Sequence, residues 1–284
     1  MHVSRQLEDL RQRVADWHLA GERVAFVPTM GNLHAGHLAL VEKAREVADR
    51  VVASIFVNPM QFGPNEDFGA YPRTEDQDAQ QLVKAGCDLL FLPDVETMYP
   101  GGTEATTFIE VPEISDILCG QSRPGHFRGV ATVVARLFHM VQPDAAVFGE
   151  KDWQQLQVIR RMVRDLALPV EIIGLPTKRE DSGLALSSRN QYLDAAEREQ
   201  AAELYQALRA AAQGLQAGES VAVLEKAGRE RLARAGFEVD YFTIRNADTL
   251  QEVAAADAEA VVVLAAARLG KARLIDNLPV NAAS

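Results

Sequence analysis

The chain has 284 residues, of which 48% are hydrophobic and 24% are charged. This composition predicts a folded core in one large and one small domain, and it excludes the disordered and fibrous classes. The formal net charge of −11 argues against a nucleic-acid partner, although a local cationic pocket can still hold a small anion. Two widely spaced cysteines fit a reducing, cytoplasmic compartment, and neither a signal peptide nor a membrane span is predicted.

Short apolar runs alternate with amphipathic segments from Val24 to about Thr177. The runs VAFVPTM, VVASIFVN, DLLFLPD, AAVFG and VEIIGLPT predict strands, and the segments between them predict helices. Because these runs lack polar alternation, we expect both faces of the strands to be covered. The pattern therefore predicts a mostly parallel α/β sheet with helices on both sides.

The character of the sequence changes after SSRNQYL. The segment from Asp194 to Ala235 is rich in Ala, Glu, Arg, Gln and Leu and predicts two helices. The stretches FEVDYFTIRNADTLQEV and AVVVLAAARLGKARLIDNLPV then predict two or three strands around a turn. We therefore predict an α/β domain over residues 1–176 and a smaller α+β domain over residues 177–284.

The junction after the first predicted strand, PTMGNLHAGH, places His34 and His37 at the start of a helix. In open α/β sheets, ligands bind beyond the carboxyl ends of the strands, and the free N–H groups of a helix start attract anions. Gly31 and Gly36 allow the backbone to approach a ligand closely. Because the histidines are three residues apart, they share one helix face, where their N–H groups can reach a phosphate oxygen. Zinc binding is unfavourable, since no third ligand lies nearby in sequence.

Two later segments support a phosphate site. In FGEKDWQQLQ, Lys151 follows a strand and can meet a phosphate as a point charge, with Asp152 as a helix cap; the alternative is a surface Lys–Asp pair. In LALSSRNQYL, Ser187, Ser188 and Arg189 suit a mobile loop that closes over phosphates. The alternative for this loop is an ordinary turn followed by a helix cap.

Taken together, these segments resemble the pantoate–β-alanine ligases, a family of the nucleotidyltransferase superfamily that carries the H-x-G-H motif. The resemblance extends over nearly the whole chain and includes SIFVNPMQFGPNEDF, YPRT, RPGHFRGVATVV and FGEKDWQQL. It implies a Rossmann-like, doubly wound parallel sheet and a smaller C-terminal α+β domain that covers the active site. One position departs from the family: Leu186 replaces the usual methionine before the double serine, a nearly volume-conserving change.

The resemblance implies an AMP-forming acid–amino-acid ligase of pantothenate biosynthesis. ATP and (R)-pantoate would give an enzyme-bound pantoyl adenylate and pyrophosphate, and β-alanine would then displace AMP to give pantothenate. A cytoplasmic homodimer without nucleic-acid or membrane partners is also implied. Mg²⁺ is implied as a cofactor, but its ligands are not identified. Asp76 and Asp78 are candidates, and the alternative for both is a solvated acidic helix start.

The site residues follow from the same resemblance. The catalytic candidates are His34, His37 and Lys151, with His37 assigned as a proton donor in the family; hydrogen bonding by a neutral imidazole is an equal alternative. Gln61 and Gln155 match the pantoate-binding glutamines, and Gln61 also matches a residue near β-alanine. The predicted ATP-binding residues are Met30, Gly31, Asn32, Leu33, His34, Ala35, Gly36, His37, Gly149, Glu150, Lys151, Asp152, Lys178, Leu186, Ser187, Ser188 and Arg189.

Other assignments stay open on the sequence alone. Pro28, Met30 and Phe62 either pack around the dimethyl group of pantoate or belong to an ordinary core. Weaker candidates for the same cleft are Asn58, Tyr71, Arg123 and His126. The loop GPNEDFGAYP has the glycines and prolines of a flexible cover. Competing functions are another H-x-G-H nucleotidyltransferase acting on a small phosphorylated substrate, a protein like an aminoacyl-tRNA synthetase, and a non-catalytic nucleotide sensor.

Overall fold

The computed structural model describes residues 1–63, 68–69, 71–253 and 260–280. Contacts within the chain define two units: Met1–Glu150 with Gln155–Pro176, and Lys151–Gln154 with Thr177–Ser284. The short segment Lys151–Gln154 therefore groups with the C-terminal part of the chain. Residues 64–67 and 70, within the loop predicted as a flexible cover, lie outside the described part of the chain.

A six-stranded sheet forms the centre of the first unit, in the order β1-β4-β3-β2-β5-β6, and all of its pairings are parallel. Its strands are β1 (His2–Ser4), β2 (Val24–Thr29), β3 (Arg50–Ile55), β4 (Leu89–Phe91), β5 (Ala145–Gly149) and β6 (Glu171–Leu175). The buried middle strands are rich in Val, Ala, Leu and Phe. This composition suits a sheet that is covered on both faces.

The order of the strands creates a switch point beside β2. From β2 the chain builds outwards through β3 and β4, and it then returns to the other side of β2 to form β5 and β6. Strands β2 and β5 pair directly, with Ala25 opposite Ala145 and Phe26 opposite Ala146. Since ligands bind outside the carboxyl ends of strands at such a point, the loops after β2 and β5 are the expected site.

The helices of the first unit complete the parallel crossovers. They are α1 (Leu7–Leu19), α2 (Ala35–Val47), α3 (Glu75–Ala85), α4 (Val95–Met98), α5 (Cys119–Ser122), α6 (His126–Val141) and α7 (Trp153–Asp165), together with short 3₁₀ turns at Pro59–Gln61 and Glu150–Asp152. The segment Lys151–Gln154, which includes the end of the second turn and the start of α7, groups with the second unit. Helix α3 has three acids in its first turn and ends at Gly86 with φ 82°, so its sequence suits both helix ends. Helix α6 is buried on nearly every side, as its apolar sequence predicts.

The second unit packs helices on an antiparallel sheet of three strands. The helices are α8 (Ala195–Ala201), α9 (Glu203–Gln216) and α10 (Val221–Arg234), and the strands are β7 (Glu238–Asn246), β8 (Val261–Leu269) and β9 (Ala272–Val280), in the order β7-β8-β9. A 3₁₀ helix covers Ser188–Tyr192. Leu208, Leu232 and Phe242 lie in a buried apolar cluster that joins these helices to the sheet.

The fold class predicted from the sequence is confirmed, since a parallel α/β sheet is joined to a smaller unit of helices and antiparallel strands. Strand β1 was not predicted, because its three residues lie in a charged N-terminal segment. Of the helices that the structure describes, none has both the length and the apolar character needed to cross a membrane.

Candidate active site

The loop between β2 and α2 leads into the H-x-G-H motif, which lies at the start of α2 beside the switch point. The Thr29 hydroxyl donates to the carbonyl oxygen of Ser54 at 2.8 Å and accepts the N–H of Gly31 at 3.2 Å. Gly31 has φ 80°, and a Cβ there would lie 3.0 Å from an Ile55 methyl carbon. Asn32 is also left-handed, with φ 51°. The chain therefore makes a tight turn before the helix, and glycine is the residue best suited to its first position.

Asp78, on α3, holds this turn through its carboxylate. One oxygen accepts the N–H of Leu33 at 2.8 Å, and the other accepts the N–H of Asn32 at 2.9 Å and the Thr74 hydroxyl at 3.0 Å. Only 1% of Asp78 is exposed. The interpretation of Asp78 as part of a solvated acidic helix start is therefore wrong, whereas Asp76 is exposed. The carboxylate compensates for its burial by accepting three hydrogen bonds and fixes the backbone that leads into the motif.

The histidine rings cap the helix that they begin. Nδ1 of His34 accepts the N–H of Gly36 at 3.1 Å, and Nδ1 of His37 accepts the N–H of His34 at 3.3 Å. The ring centroids are 4.1 Å apart. A ring nitrogen that accepts a hydrogen bond carries no proton, so both imidazoles are neutral in this arrangement and carry their proton on Nε2. In this arrangement each ring of the motif therefore carries an Nε2–H group and no positive charge.

Gln61 lies beside Met30, so a predicted substrate-binding residue and the loop predicted to bind the nucleotide come together in the first unit. Nε2 of Gln61 is 3.1 Å from the sulfur of Met30, and Oε1 accepts the amide of Asn58 at 3.1 Å. Asn58 is itself held by the hydroxyl of Tyr99, which donates to it at 2.8 Å. Burial raises the pKa of Tyr99 to about 12, so this hydroxyl keeps the proton that it donates. The buried chain of contacts fixes the direction of the Gln61 amide.

The backbone of Gln61 is held by two residues whose roles the sequence left open. Nδ1 of His126 donates to the Gln61 carbonyl at 2.8 Å, while Nε2 of the same ring accepts from Arg123 at 2.9 Å. Arg123 also donates to the Gln61 carbonyl at 3.3 Å. His126 and Arg123 thus support a predicted substrate-binding residue through its backbone. Phe62 instead packs edge-on against Tyr71, with ring centroids 5.8 Å apart.

Gly149 and Glu150 lie at the carboxyl end of β5, beside the loop that follows β2. Burial raises the pKa of Glu150, and the charge of Arg160 opposes that shift. A Cβ at Gly149 would meet nothing within 4 Å, so the backbone is open there. Gln155, in the first turn of α7, is partly buried. This edge of the first unit offers an open backbone and one carboxyl group of raised pKa.

Lys151 belongs to the second unit. Its Nζ lies 4.0 Å from the carboxylate of Asp152, at the outer limit of an ion pair, and 17% of its side chain is exposed. The carbonyl oxygen of Lys151 accepts the side-chain amide of Asn277 at 2.9 Å. Trp153 donates its indole N–H to the carbonyl oxygen of Ala247 at 2.8 Å. Two buried side-chain donors therefore tie the Lys151–Gln154 segment to the C-terminal sheet and its neighbouring turn.

The other predicted nucleotide residues of the second unit lie in a hairpin and the turn after it. The N–H of Leu186 donates to the carbonyl oxygen of Lys178 at 2.9 Å, which brings these two residues together. The hydroxyl of Ser187 accepts the N–H of Arg189 at 3.2 Å and caps a 3₁₀ helix that begins at Ser188. The helix cap expected as the alternative is therefore present. Both serines and Arg189 are partly exposed, which is compatible with ligand contact.

Sequence reasoning missed the role of Asp78, which it named only as a candidate metal ligand, and it missed Asn277 altogether. Asp78 could have been found from its spacing, because Asp78, Leu82 and Ala85 share one face of α3. Asn277 lies 126 positions from Lys151, and no local pattern joins them. Among the residues that the structure describes, His, Cys, Asp and Glu side chains form no cluster of three suited to a metal ion.

A family model described as pantoate-beta-alanine ligase matches residues 2–279 of the chain. The chain belongs to the pantoate-beta-alanine ligase family. Pantothenate synthetases from Shewanella baltica (strain OS223) and Shewanella piezotolerans are each 58% identical to it, over 278 and 281 residues, which cover 98% and 99% of this chain and 99% of each relative. The family predicted from the motifs is thereby confirmed.

Solved structures of the pantoate-beta-alanine ligase family agree with the fold. Pantothenate synthetase from Thermus thermophilus matches with a TM-score of 0.92 and 50% identity, over 98% of this chain and 99% of that one. Pantoate-beta-alanine ligase from Francisella tularensis, complexed with beta-gamma ATP and beta-alanine, matches with a TM-score of 0.81 and 35% identity, over 98% and 97%. The ligase class of enzyme is confirmed, and the rival nucleotidyltransferase is not favoured.

Proposed function

We propose that this chain condenses (R)-pantoate with β-alanine at the expense of ATP, with a pantoyl adenylate as the bound intermediate. The match to the ligase family over residues 2–279 carries the proposal. ATP and β-alanine are the ligands named for the Francisella tularensis relative. The two Nε2–H donors at the switch point of the sheet support nucleotide chemistry in this chain.

In the first step, a carboxylate oxygen of pantoate bonds to the α-phosphorus of ATP, and the bond from that phosphorus to pyrophosphate breaks. Negative charge grows on the phosphate oxygens as this happens. His34 and His37 can stabilise that charge by hydrogen bonding without giving up a proton. Lys151 supplies the positive charge that the neutral imidazoles lack. We therefore assign His37 as a hydrogen-bond donor to the reacting phosphate.

In the second step, the neutral amine of β-alanine bonds to the acyl carbon and loses one proton to the solvent, and AMP leaves with the electrons of the carbon–oxygen bond. Gln61 and Gln155 are proposed to hold pantoate. An amide orients a carboxylate without pairing its charge, so the carboxylate stays nucleophilic in the preceding step. The buried contacts of Gln61 with Asn58, His126 and Arg123 support this role, since they preset the direction of its side chain and backbone.

Mg²⁺ is proposed as the ion that accompanies ATP. The ion would neutralise phosphate charge. Because Mg²⁺ in proteins usually keeps several waters and binds substrate phosphates with one or two carboxylates, it would not require a cluster of three protein ligands. Asp78 fits poorly as a ligand, because its carboxylate already accepts three hydrogen bonds. Asp152, beside Lys151 and half exposed, fits better.

We further propose that the enzyme works as a cytoplasmic homodimer. The cytoplasm fits Cys87 and Cys119, which are both buried and both outside any disulfide. The dimer rests on family resemblance, and sedimentation equilibrium tests it: a single species of twice the chain mass supports the dimer, and a monomer at micromolar concentration contradicts it.

The proposed reaction is tested by two assays on the wild-type chain. Exchange of labelled pyrophosphate into ATP should require pantoate but not β-alanine, because it reports the first step alone. Release of AMP with formation of pantothenate should require both substrates. A nucleotidylated product formed without an amine would support the rival transferase, and ATP binding without exchange would support a sensor.

Lys151→Ala should slow the pantoate-dependent exchange by about 10²–10³-fold, the usual cost of removing one preorganised charge-stabilising group. Asp181→Ala offers a control substitution at an exposed charged position of the second unit. Near-normal exchange in Lys151→Ala would contradict the role assigned to the lysine, but not the family reaction itself.

A further inference from the structure

Two adjacent residues of β9, Asp276 and Asn277, are buried, with exposed fractions of 4% and 2%. Asp276 forms a two-pronged ion pair with Arg179: the oxygen–nitrogen distances are 2.6 and 2.9 Å. The backbone N–H of Asn277 also donates to Asp276 at 2.8 Å. Pairs of this geometry are the strongest and most directional of protein ion pairs. The carboxylate therefore has a fixed orientation at the centre of β9.

Asn277 connects this ion pair to Lys151. The side-chain amide of Asn277 donates to the backbone carbonyl of Lys151 at 2.9 Å. The backbone carbonyl of Asn277 accepts from Arg179 at 3.1 Å. All three residues lie in the second unit. Because Asn277 is almost fully buried, no water can replace this hydrogen bond without a rearrangement of the sheet. The backbone position of Lys151 is therefore coupled to the position of β9.

Arg179 connects the same ion pair to the hairpin that contains Lys178 and Leu186. It lies one residue after Lys178, donates to the carbonyl oxygen of Gly183 at 3.1 Å, and stacks on the ring of Tyr205 at 3.8 Å. Gly183 has φ 94°, and a Cβ there would lie 2.6 Å from the Tyr205 ring. The guanidinium therefore fixes both the hairpin and the strand that carries Asn277.

We infer that Asn277 is a positioning residue for Lys151, and that the Arg179–Asp276 pair keeps Asn277 in place. The inference rests on the proposed function, because it assigns a purpose to a residue whose charge acts in that reaction. Neither Asp276 nor Asn277 needs to touch a substrate. They would set where the ammonium group of Lys151 stands when the α-phosphorus reacts, and misplacement of such a group by about 1 Å can cost about 10²-fold in rate.

The test is a double-mutant cycle in the pantoate-dependent pyrophosphate exchange. Asn277→Ala alone should lower kcat by roughly 10- to 100-fold, with a smaller change in the KM for pantoate. In a Lys151→Ala background, the same substitution should cost less than about twofold, because the residue through which it acts is already gone. A general loss of folding would lower kcat by the same factor in both backgrounds, so equal factors would overturn the inference.

Asp276→Asn provides a second variant that keeps the size of the side chain. Like Asn277→Ala, it should slow exchange, and this effect should disappear in the Lys151→Ala background. The matched control is Asp240→Asn, which makes the same change in an ion pair with Arg273, also on β9, at 2.6 Å. If Asp240→Asn slowed exchange as much as Asp276→Asn, a general effect on the sheet would explain both, and the inference would fail.

The cycle separates this inference from the proposed function. If wild-type protein shows no pantoate-dependent exchange, the proposed reaction is wrong. If exchange occurs and Lys151→Ala slows it as predicted while Asn277→Ala is fully active, only the positioning role is wrong. Exchange is measured at a temperature well below the thermal midpoint of every variant, so that the fraction of folded protein does not enter the comparison.

Discussion

The backbone N–H groups that donate to His34 and His37 decide which nitrogen of each ring carries the proton. Each Nδ1 accepts from the backbone of the same helix start, at 3.1 and 3.3 Å. Protonating either ring would place a hydrogen on Nδ1 and turn that acceptor into a donor facing another donor. The arrangement therefore favours neutral rings while the helix start is intact. A pair of neutral donors fits the proposed site, which would have to release pyrophosphate as well as bind ATP.

The tautomers can be measured by long-range ¹⁵N–¹H correlation of the histidine side chains. We expect His34 and His37 to show the Nε2–H form at neutral pH. His126 is the internal control, because its Nδ1 donates to the Gln61 carbonyl and its Nε2 accepts from Arg123. It should therefore show the opposite, Nδ1–H form. An Nδ1–H signal, or a doubly protonated ring, at His34 or His37 would contradict the assigned role.

Asp78→Asn should loosen the turn before the H-x-G-H motif. An amide keeps one acceptor oxygen and places an NH₂ group against a backbone N–H of Asn32 or Leu33. We expect the pantoate-dependent exchange to fall by about 10-fold or more, and stability to fall by roughly 1–3 kcal/mol.

Asp76→Asn is the matched control for this prediction, since it makes the same change at an exposed position of the same helix. The control should leave both exchange and stability near the wild-type values. If Asp78→Asn lost stability but kept full exchange, and the ¹⁵N spectra of His34 and His37 did not change, Asp78 would have a structural role alone.

Residues that act through local spacing were predictable, and residues that act across the chain were not. The pair His34 and His37 follows from three-residue spacing at a strand-to-helix junction. Asp78 lies on the apolar face of its helix, and this spacing is a local sign of burial. An acidic first turn is also typical of a solvated helix start, so the sign is ambiguous. Nothing in the sequence near Asn277 identifies its contact with Lys151.

At the scale of elements, helix α6 and the 3₁₀ turn Pro59–Gln61 depend on a close approach of two backbones. A Cβ at Gly129 would lie 2.4 Å from the Met60 carbonyl oxygen and 2.7 Å from the Gln61 nitrogen. The Asn58 amide also donates to the Gly129 carbonyl at 3.1 Å. The glycine therefore lets the helix support Gln61 from directly behind its backbone.

Gly129→Ala should displace the Pro59–Gln61 turn, because the new methyl group would meet backbone atoms that cannot rotate away. We expect a loss of roughly 1–3 kcal/mol in the free energy of unfolding. We also expect a higher KM for pantoate, since Gln61 moves with the turn. Gly101→Ala serves as the control, because a Cβ there has nothing within 4 Å. An unchanged KM for pantoate in a destabilised Gly129→Ala would contradict the link from α6 to substrate binding.

Most elements followed from their periodicity, and the exceptions have physical reasons. The five apolar runs became strands β2 to β6, because buried parallel strands need only an apolar sequence of the right length. Strand β1 has three residues and only one neighbour in the sheet, β4, so its sequence carries little signal. The predicted mobile loop at Ser187 forms a capped 3₁₀ helix, because serine also suits a cap.

At the scale of the whole molecule, each unit has a buried apolar cluster of its own. The change of composition near SSRNQYL predicted a smaller α+β part after the α/β sheet, and this fold class is confirmed. The assignment of Lys151–Gln154 to the second unit was not readable, because it depends on contacts with Asn277 and Ala247 far along the chain. The sequence therefore predicts the elements better than it predicts which distant elements share a contact.

Global stability should depend on pH through Cys87, which lies in the apolar cluster of the first unit. Burial raises the pKa of its thiol from 9.0 to about 12. Above pH 9 the unfolded thiol loses its proton while the folded thiol keeps it, so the unfolded state binds fewer protons. The free energy of unfolding must then fall as pH rises through this window, by up to about 1.4 kcal/mol per pH unit from this group.

Cys87→Ala should remove this contribution while creating a small cavity, so its stability falls less steeply with pH than that of the wild type. Urea unfolding at several pH values between about 8 and 10.5 measures both slopes. Val51→Ala is the control, because it opens a cavity in the same buried cluster without removing an ionisable group and should keep the wild-type slope. Equal slopes in the wild type and Cys87→Ala would show that the thiol ionises at the same pH in the folded and unfolded chains, contrary to its burial at 4% exposure.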